Sequence, residues 1–533
     1  MPKLRAPLFL TCLAACLLAV VVQSGELGSA DTMHRLQTAH SFWTSEPAVF
    51  PSEYPEFGIY GRAGKLYDWY GMGQSLLMLP ADVVGTFLQR LSIFAGYNGN
   101  DPSIRNITVS YSTNVLINIL TAIACFRFLC LLQFNIKQSV AGVLALLFCT
   151  THLHYTQNMM ENNYIMLLTL AGFSFQYEWL RTGRSHTLAV GSFALGLNLL
   201  TRLTTALDLL AVGFFLLLAI WFEATEIQTI KHRALAYAKI ALPIYALFLF
   251  VDRLYQYDRF GSFFHTYVYY FALKYHQLDP SLPPEYPFET PFRVGFLGPL
   301  IRPEKSIFLF DPLFVLTLLI TALAWRRFNG ATKAYLIAGF LLLLSYICFY
   351  AKYTVWSGDF AWGDRYVSTA VQFAALVSVP LFLRFRTELG RAVWIVGAGL
   401  IGVSAVIQIA SLAFWLPLEI YQMETLGHPT FVILLRFKNI IAFALGRMDE
   451  WGLTNHAMVE DPWDYAHITT WNFLPFVLRS LGQAPRWVVS LAFSLWTLVL
   501  VALGWVLWQL RRSMDEENLG RATPASVQER RSR

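Results

Sequence analysis

Apolar runs of about 20 residues recur along most of the chain, separated by polar segments. That is the length a helix needs to cross about 30 Å of hydrocarbon. The pattern predicts spans at 6–23, 109–132, 138–156, 163–180, 187–203, 206–222, 236–251, 306–324, 334–350, 367–383, 392–415 and 486–509. A membrane β-barrel would instead show alternating segments of about 10 residues. Two more apolar stretches do not read as spans. Pro80 and Asp82 interrupt 71–97, and Arg436 and Lys438 interrupt 430–446. Both predict helices lying in the membrane interface. The fold class expected is therefore all-α and polytopic, a bundle of about 12 transmembrane helices with interfacial helices in the first outer loop.

Charge orients this bundle. With Lys3 and Arg5 placing the N-terminus in the cytoplasm, every second loop should be basic. Those loops carry Lys137; Arg181 and Arg184; Lys231 and Arg233; Arg326, Arg327 and Lys333; Arg384, Arg386 and Arg391; and Arg511 with Arg512. Both termini are then cytoplasmic, and the polar tail 510–533 is expected to be disordered. The outside receives the long segments 24–108, 252–305, 351–366 and 416–485. The expected division is a core over 1–415, an outer region of unknown role over 416–485, a last span over 486–509 and the tail. A competing reading makes residues 1–30 a cleaved signal peptide, with Gly28-Ser29-Ala30 as a small-residue cleavage site.

Composition agrees with the spans. Residues are 56% hydrophobic and 14% charged, where soluble domains carry roughly 25% charged residues. The net charge of +6 follows the topology and points to no nucleic-acid partner. All six cysteines fall in spans and read as packing residues. No P-loop occurs.

Candidate chemistry gathers on the outer side. Asp31 and Arg35 are spaced i, i+4, so a helix would pair them. Asp31 reads either as the N-cap of an interfacial helix running to about Trp43 or as a general base at the membrane surface. The stretch from Tyr60 to Gly73 is aromatic and glycine-rich; Tyr67 and its neighbours suit headgroup anchoring or contact with a sugar ring. The turn from His152 to Asn162 holds two histidines and Glu161; a metal reading needs one more ligand from elsewhere. Arg302 and Lys305 break the outer charge bias just before a span, as a lipid-surface anchor or a clamp on one phosphate. Trp356, Trp362 and Arg365 crowd the loop from Trp356 to Tyr366. Arg202 lies at the outer end of its span, where snorkelling is the simplest account.

Taken in order, these segments resemble the membrane glycosyltransferases of the GT-C class, and within it the bacterial branch similar to protein O-mannosyltransferases and the lipid A aminoarabinose transferase. The resemblance rests on Asp31 followed by an interfacial helix, Tyr70-Gly71-Met72-Gly73 leading to Pro80, Phe260-Gly261-Ser262, Gly298 to Pro312 and Trp356 to Tyr366. It covers roughly residues 5–415. It implies a catalytic transmembrane core over 1–415 and a sugar donor carried on a polyprenyl or dolichyl phosphate. The acceptor would be a glycan, lipid or protein, and the location a bacterial inner membrane. It implies Asp31 as catalytic base with Glu161 as a second acidic residue. Lys305, Arg302 and Arg365 would bind the donor phosphate, and Arg35, Tyr67, Trp356 and Trp362 would line the substrate site. Many members carry a second acidic residue directly after the first. Here Thr32 follows Asp31, which disfavours a divalent metal, and no other cofactor is implied. The chief rival from another class is a multi-span transporter of a lipid-linked or small polar substrate; transporters usually show intramembrane charges and paired halves. An acyltransferase using His152 or His154 is a third reading.

Overall fold

The computed structural model describes residues 2–50, 57–94, 97, 102–222, 227–359, 361–455, 457, 462–482 and 484–529. It is 74% helical, and β-structure among the described residues is confined to one short hairpin, which makes the chain all-α. Helix α1 (Pro2–Val21) leads into α2 (Ala30–Ser41). Strands β1 (Ile59–Tyr60) and β2 (Leu66–Tyr67) pair antiparallel, with Ile59 opposite Tyr67. Helix α3 (Gly73–Gln89) packs against both α2 and α4 (Ile104–Leu131).

Ser29 caps α2: its hydroxyl accepts the Thr32 amide at 3.2 Å. The cap expected at Asp31 thus falls two residues earlier, and the Asp31 carboxylate is left to face outward from the first turn.

Two expected spans are broken rather than continuous. The run over 138–156 splits into α5 (Ile136–Cys149) and α6 (His152–Gln157). The run over 306–324 splits into α13 (Ile307–Phe310) and α14 (Pro312–Ala324) after α7 to α12 (Asn162–Thr182, Ser185–Thr201, Ala206–Phe222, Ile227–Phe260, Tyr267–Leu278 and Phe292–Ile301). Pro312 forces the second break, because a residue before proline is pushed out of the helical region. Asp311, freed there, accepts the Thr151 amide at 2.7 Å and the Thr151 hydroxyl at 2.9 Å. One carboxylate therefore joins both breaks.

The chain continues through α15 (Gly330–Tyr350), α16 (Arg365–Ala375), α17 (Ser378–Arg384) and α18 (Gly390–Ser411). Short helices α19 (Pro417–Glu424), α20 (Val432–Ala444), α21 (Pro462–Ile468) and α22 (Leu474–Leu481) precede α23 (Arg486–Glu529). Among the described residues seven helical stretches are long and apolar enough to cross a membrane, against about twelve expected. They are Ile104–Leu131, Leu203–Phe222, Arg233–Phe260, Gly330–Tyr350, Arg365–Arg384, Gly390–Ser411 and Arg486–Met514. The breaks explain part of the shortfall. Helix α8 is also short, at 17 residues. The tail expected to be disordered continues α23 as far as Glu529; extending an existing helix costs far less than starting one. Residues 530–533 lie outside the described residues.

The bundle core is aromatic. Phe128, Phe173, Phe215, Tyr335 and Phe373 meet with ring centroids 4.4–6.4 Å apart, edge-on or tilted, the arrangement that ring quadrupoles favour. Residues beyond 411 fold back onto the start of the first loop. His467 Nε2 lies 2.6 Å from Glu26, and Gln157 Nε2 donates to the carbonyls of Val22 and Asn472.

Candidate active site

Helix α2 presents Asp31 and Arg35 one turn apart on one face. Beside them pass the ends of α8 and α16 and the junction between α6 and α7. This close approach needs glycine. A Cβ on Gly71 would lie 2.3 Å from the Leu200 carbonyl oxygen, and one on Gly73 would lie 2.2 Å from the Thr201 hydroxyl. The Tyr70 segment can therefore cross the end of α8 only without side chains at those two positions.

Five charged groups meet there. Arg365 Nη1 donates to Asp31 Oδ2 at 2.5 Å, and the Tyr70 hydroxyl donates to Asp31 Oδ1 at 2.6 Å. Glu161 lies between two guanidinium groups: Arg35 Nη1 is 2.8 Å from Oε2, and Arg202 is bonded to Oε1. The i, i+4 pair expected between Asp31 and Arg35 is thus replaced by two longer-range pairs, each taking a better-placed partner. Aromatic rings back the cations. Arg35 sits 4.1 Å above the Tyr70 ring, and Arg202 and Arg365 lie 5.1 and 5.3 Å from the Tyr366 ring. Three arginines against two carboxylates leave one positive charge in excess. The side chains of Asp31, Arg202 and Arg365 remain 22%, 14% and 13% exposed. Arg365 Nε has no hydrogen-bond partner.

The surrounding electrostatics are opposed. Burial pushes the Asp31 carboxyl up, but the charges of Arg365 and Arg35 and the bonds from Tyr70 and Arg365 hold it well below the usual carboxylate range. Burial pushes the His34 imidazole down to about 4 despite the nearby Asp31. Asp68, buried behind this layer and raised by burial, accepts the Thr38 hydroxyl at 2.6 Å and pairs with Arg259 at 3.1 Å. Arg259 also donates to the carbonyls of Asp68 and Tyr70, which fixes the strand leading to Tyr70.

The structure brings together Asp31, Arg35, Glu161 and Arg365, and leaves the other sequence candidates outside the cluster. Lys305 is buried and donates to three carbonyls, of Asp359, Ala361 and Gly363, at 2.6, 2.9 and 3.0 Å. An ammonium has three N–H donors, so all of them are taken. Burial lowers Lys305 and raises its neighbour Asp364. Asp364 in turn caps α16 by accepting the Tyr366 amide at 3.0 Å. Arg302 is 48% exposed, with Glu304 at 3.6 Å and the Trp356 ring at 5.3 Å. Trp356 packs against Gly298. Trp362 is 0% exposed, between Phe310, His154 and Arg436, so its ring is closed to a ligand in this conformation. Tyr67 stands in the hairpin with its ring edge-on to Phe260 at 6.0 Å.

His152 and His154 turn to Asn118 and Asn158, away from Glu161. Among the described residues no group of three His, Cys, Asp or Glu side chains could hold a metal ion. Sequence reasoning passed over Tyr70, Tyr366 and Arg202 as site residues. For Arg202 a signal existed, because an arginine at the outer end of a span is costly unless it has a partner inside.

No family model and no curated protein sequence matches the chain. Solved structures similar to it include two of the oligosaccharyltransferase of the archaeon Archaeoglobus fulgidus. The apo form is 12% identical with a TM-score of 0.47. The form in complex with an inhibitory peptide and a dolichol-phosphate is 13% identical with a TM-score of 0.37. Each match covers 90% of this chain and 64% of the other, so the chain spans under two thirds of their length.

Proposed function

We propose that the protein is a membrane glycosyltransferase of the GT-C type, transferring a sugar from a polyprenyl-phosphate-linked donor to a hydroxyl acceptor on the non-cytoplasmic face. The observation that carries this reading is the cluster in which Asp31 meets Arg365, with Arg35 and Arg202 held beside it on Glu161. A carboxylate and an excess cation side by side suit a reaction that takes a proton at one atom and releases an anion at another.

In the reaction proposed, the acceptor oxygen attacks the anomeric carbon. The bond from that carbon to the phosphate oxygen breaks, and the electron pair leaves with the lipid phosphate. The acceptor proton passes to Asp31. One displacement inverts the anomeric centre. Arg365 and Arg202, whose side chains keep 13% and 14% exposure, are placed to meet the charge growing on the departing phosphate. An anion drawn to Arg365 competes with Asp31 for that guanidinium. The carboxylate that Arg365 holds low then regains proton affinity when donor is bound. Lys305 enters as a positioning residue: it ties the loop carrying Arg365 through three carbonyls. Glu161 likewise positions Arg35 and Arg202.

One observation favours a transporter instead. Asp208 is fully buried among Thr169, Asn198 and Tyr346, and a carboxylate inside a bundle often marks a substrate path. The test uses the full chain in nanodiscs with radiolabelled polyprenyl-phosphate sugars and a membrane extract as acceptor source, comparing wild type with Asp31→Asn. Transfer by the wild type and its loss in the folded variant support the enzyme. Donor uptake into sealed vesicles without cleavage supports the transporter.

A further inference from the structure

The two faces of α2 differ. Asp31, Arg35 and Thr38 look into the charged cluster. Ala30, Met33, His34 and Gln37, at helical spacing on the adjoining flank, line a separate cavity of about 500 Å³, within the size range of small-molecule sites. Its remaining wall comes from the segment after α2, the end of α3 and the start of α4.

The wall is mixed and its charges are matched. Arg105 lines the cavity but is paired with Asp82. The same carboxylate accepts Trp43 Nε1 at 2.8 Å and lies 2.9 Å from His40 Nδ1. Arg90 and Glu46, one charge of each sign, also line the cavity, and Glu46 accepts from Gln37 at 3.2 Å. Between these stand apolar surfaces, Val49 and Phe50 among them, and the amides of Gln37 and Gln89. Thr86 supplies the sharpest sign of a ligand. It is 91% buried, lines the cavity, and its hydroxyl has no hydrogen-bond partner. A buried hydroxyl left unpaired is costly, and a ligand hydroxyl in the cavity would satisfy it.

A net-neutral wall that alternates apolar faces with amides and hydroxyls matches a molecule that alternates C–H faces with hydroxyl edges. We propose that this cavity binds a neutral saccharide, and that this saccharide is the acceptor of the transfer proposed above. A sugar seated there reaches Asp31 around the first turn of α2, since Ala30 and His34 are the neighbours of Asp31 at i−1 and i+3. Acceptor and donor phosphate then approach the carboxylate from adjoining flanks of one helix. The assignment to the acceptor rests on the glycosyl-transfer reading.

The test is saturation-transfer NMR on the full chain in nanodiscs, with three probes: a neutral disaccharide, a matched uronic-acid disaccharide and a short uncharged peptide. Met33→Trp fills the cavity from a partly exposed position. Thr86→Val removes the unpaired hydroxyl at nearly constant shape and serves as the variant least apt to disturb folding. Hydrolysis of a polyprenyl-phosphate sugar by water, which needs no acceptor, is measured in parallel. We expect the neutral disaccharide alone to bind. Met33→Trp should weaken it about tenfold or more and Thr86→Val by several-fold, as for a site that loses a ligand-hydroxyl partner. Donor hydrolysis should stay unchanged in both variants. Equal binding to wild type and Met33→Trp overturns the proposal, as does binding of only the acidic or peptide probe, or of none. Saccharide binding in a protein that never cleaves donor overturns the transfer reading and the acceptor assignment with it. Donor cleavage without saccharide binding overturns the cavity alone.

Discussion

Two arginine–carboxylate centres of the molecule are built to opposite ends. In the region after residue 415, Arg436 and Glu419 form a two-pronged pair at 2.6 Å on each prong, both side chains fully buried. The remaining Arg436 nitrogen donates to the carbonyls of Ser411 and Phe414, and Asn439 donates to Glu419. Every strong donor and acceptor there is used, and the charges cancel. Around Asp31 and Glu161 the count is three cations to two anions, and Asp31, Arg202 and Arg365 keep some exposure. A buried fork that closes on itself fixes geometry. A cluster that leaves charge over and stays partly exposed is equipped to receive an anion.

The largest effect that sharpens this contrast is chemical. Asp31→Asn keeps the shape and the Tyr70 contact but removes the base. Transfer per folded molecule should fall by about 10²–10⁴-fold, the usual contribution of a positioned general base, with the thermal unfolding midpoint lowered by the loss of the Arg365 pair. A variant that transfers normally would remove Asp31 from the chemistry. At the other centre the order reverses. Glu419→Gln strands the Arg436 charge in a dry site, and breaking one side of a buried pair costs about 3–5 kcal/mol. The folded fraction should drop sharply in denaturant while turnover per folded molecule holds. Were turnover per folded molecule to collapse instead, the region after 415 would belong to the reaction.

The two centres were unequally legible in the sequence. Asp31, Glu161 and Arg365 stood out because acidic and basic residues near the outer ends of spans are few, and each marks a place where charge must find a partner. Their actual partners could not be read, because local spacing offers Asp31 only Arg35, whereas the fold supplies Arg365 from 334 residues away. Lys305 shows the same limit from the other side. Its charge was visible and its three backbone acceptors were not, since carbonyls of a loop held by Gly358 and Gly363 in left-handed backbone leave no trace in side-chain chemistry. The broken spans were half legible: Pro312 marks one break, but the break at Thr150 depends on Asp311 across the bundle.

Lys305 offers a smaller test. If it acts by holding the loop, Lys305→Met and Lys305→Arg should lower turnover alike, by about tenfold, because a planar guanidinium cannot meet three converging carbonyls as an ammonium does. If it binds the donor phosphate by charge, Lys305→Arg should retain turnover and Lys305→Met should raise the donor KM. Steady-state kinetics on the two variants separate the roles.

The smallest effect is a slope. His34 lies on the same helix as Asp31, stacks on Phe57 at 3.6 Å, and is pushed by burial down to about 4 from an ordinary value near 6.5. As pH falls below 6.5 the unfolded chain takes this proton first, so the folded state loses stability, and the loss continues until pH reaches about 4. Asp31 adds nothing in that window. Its carboxyl is lowered, so the stability it contributes is present above its unfolded value and is lost only in stronger acid. The prediction is a difference: between pH 6.5 and 4 the unfolding midpoint of His34→Asn should fall less steeply than that of wild type. Parallel curves would mean that the imidazole is hydrated in the native state. The cavity that His34 lines would then hydrate the ring despite its stack on Phe57.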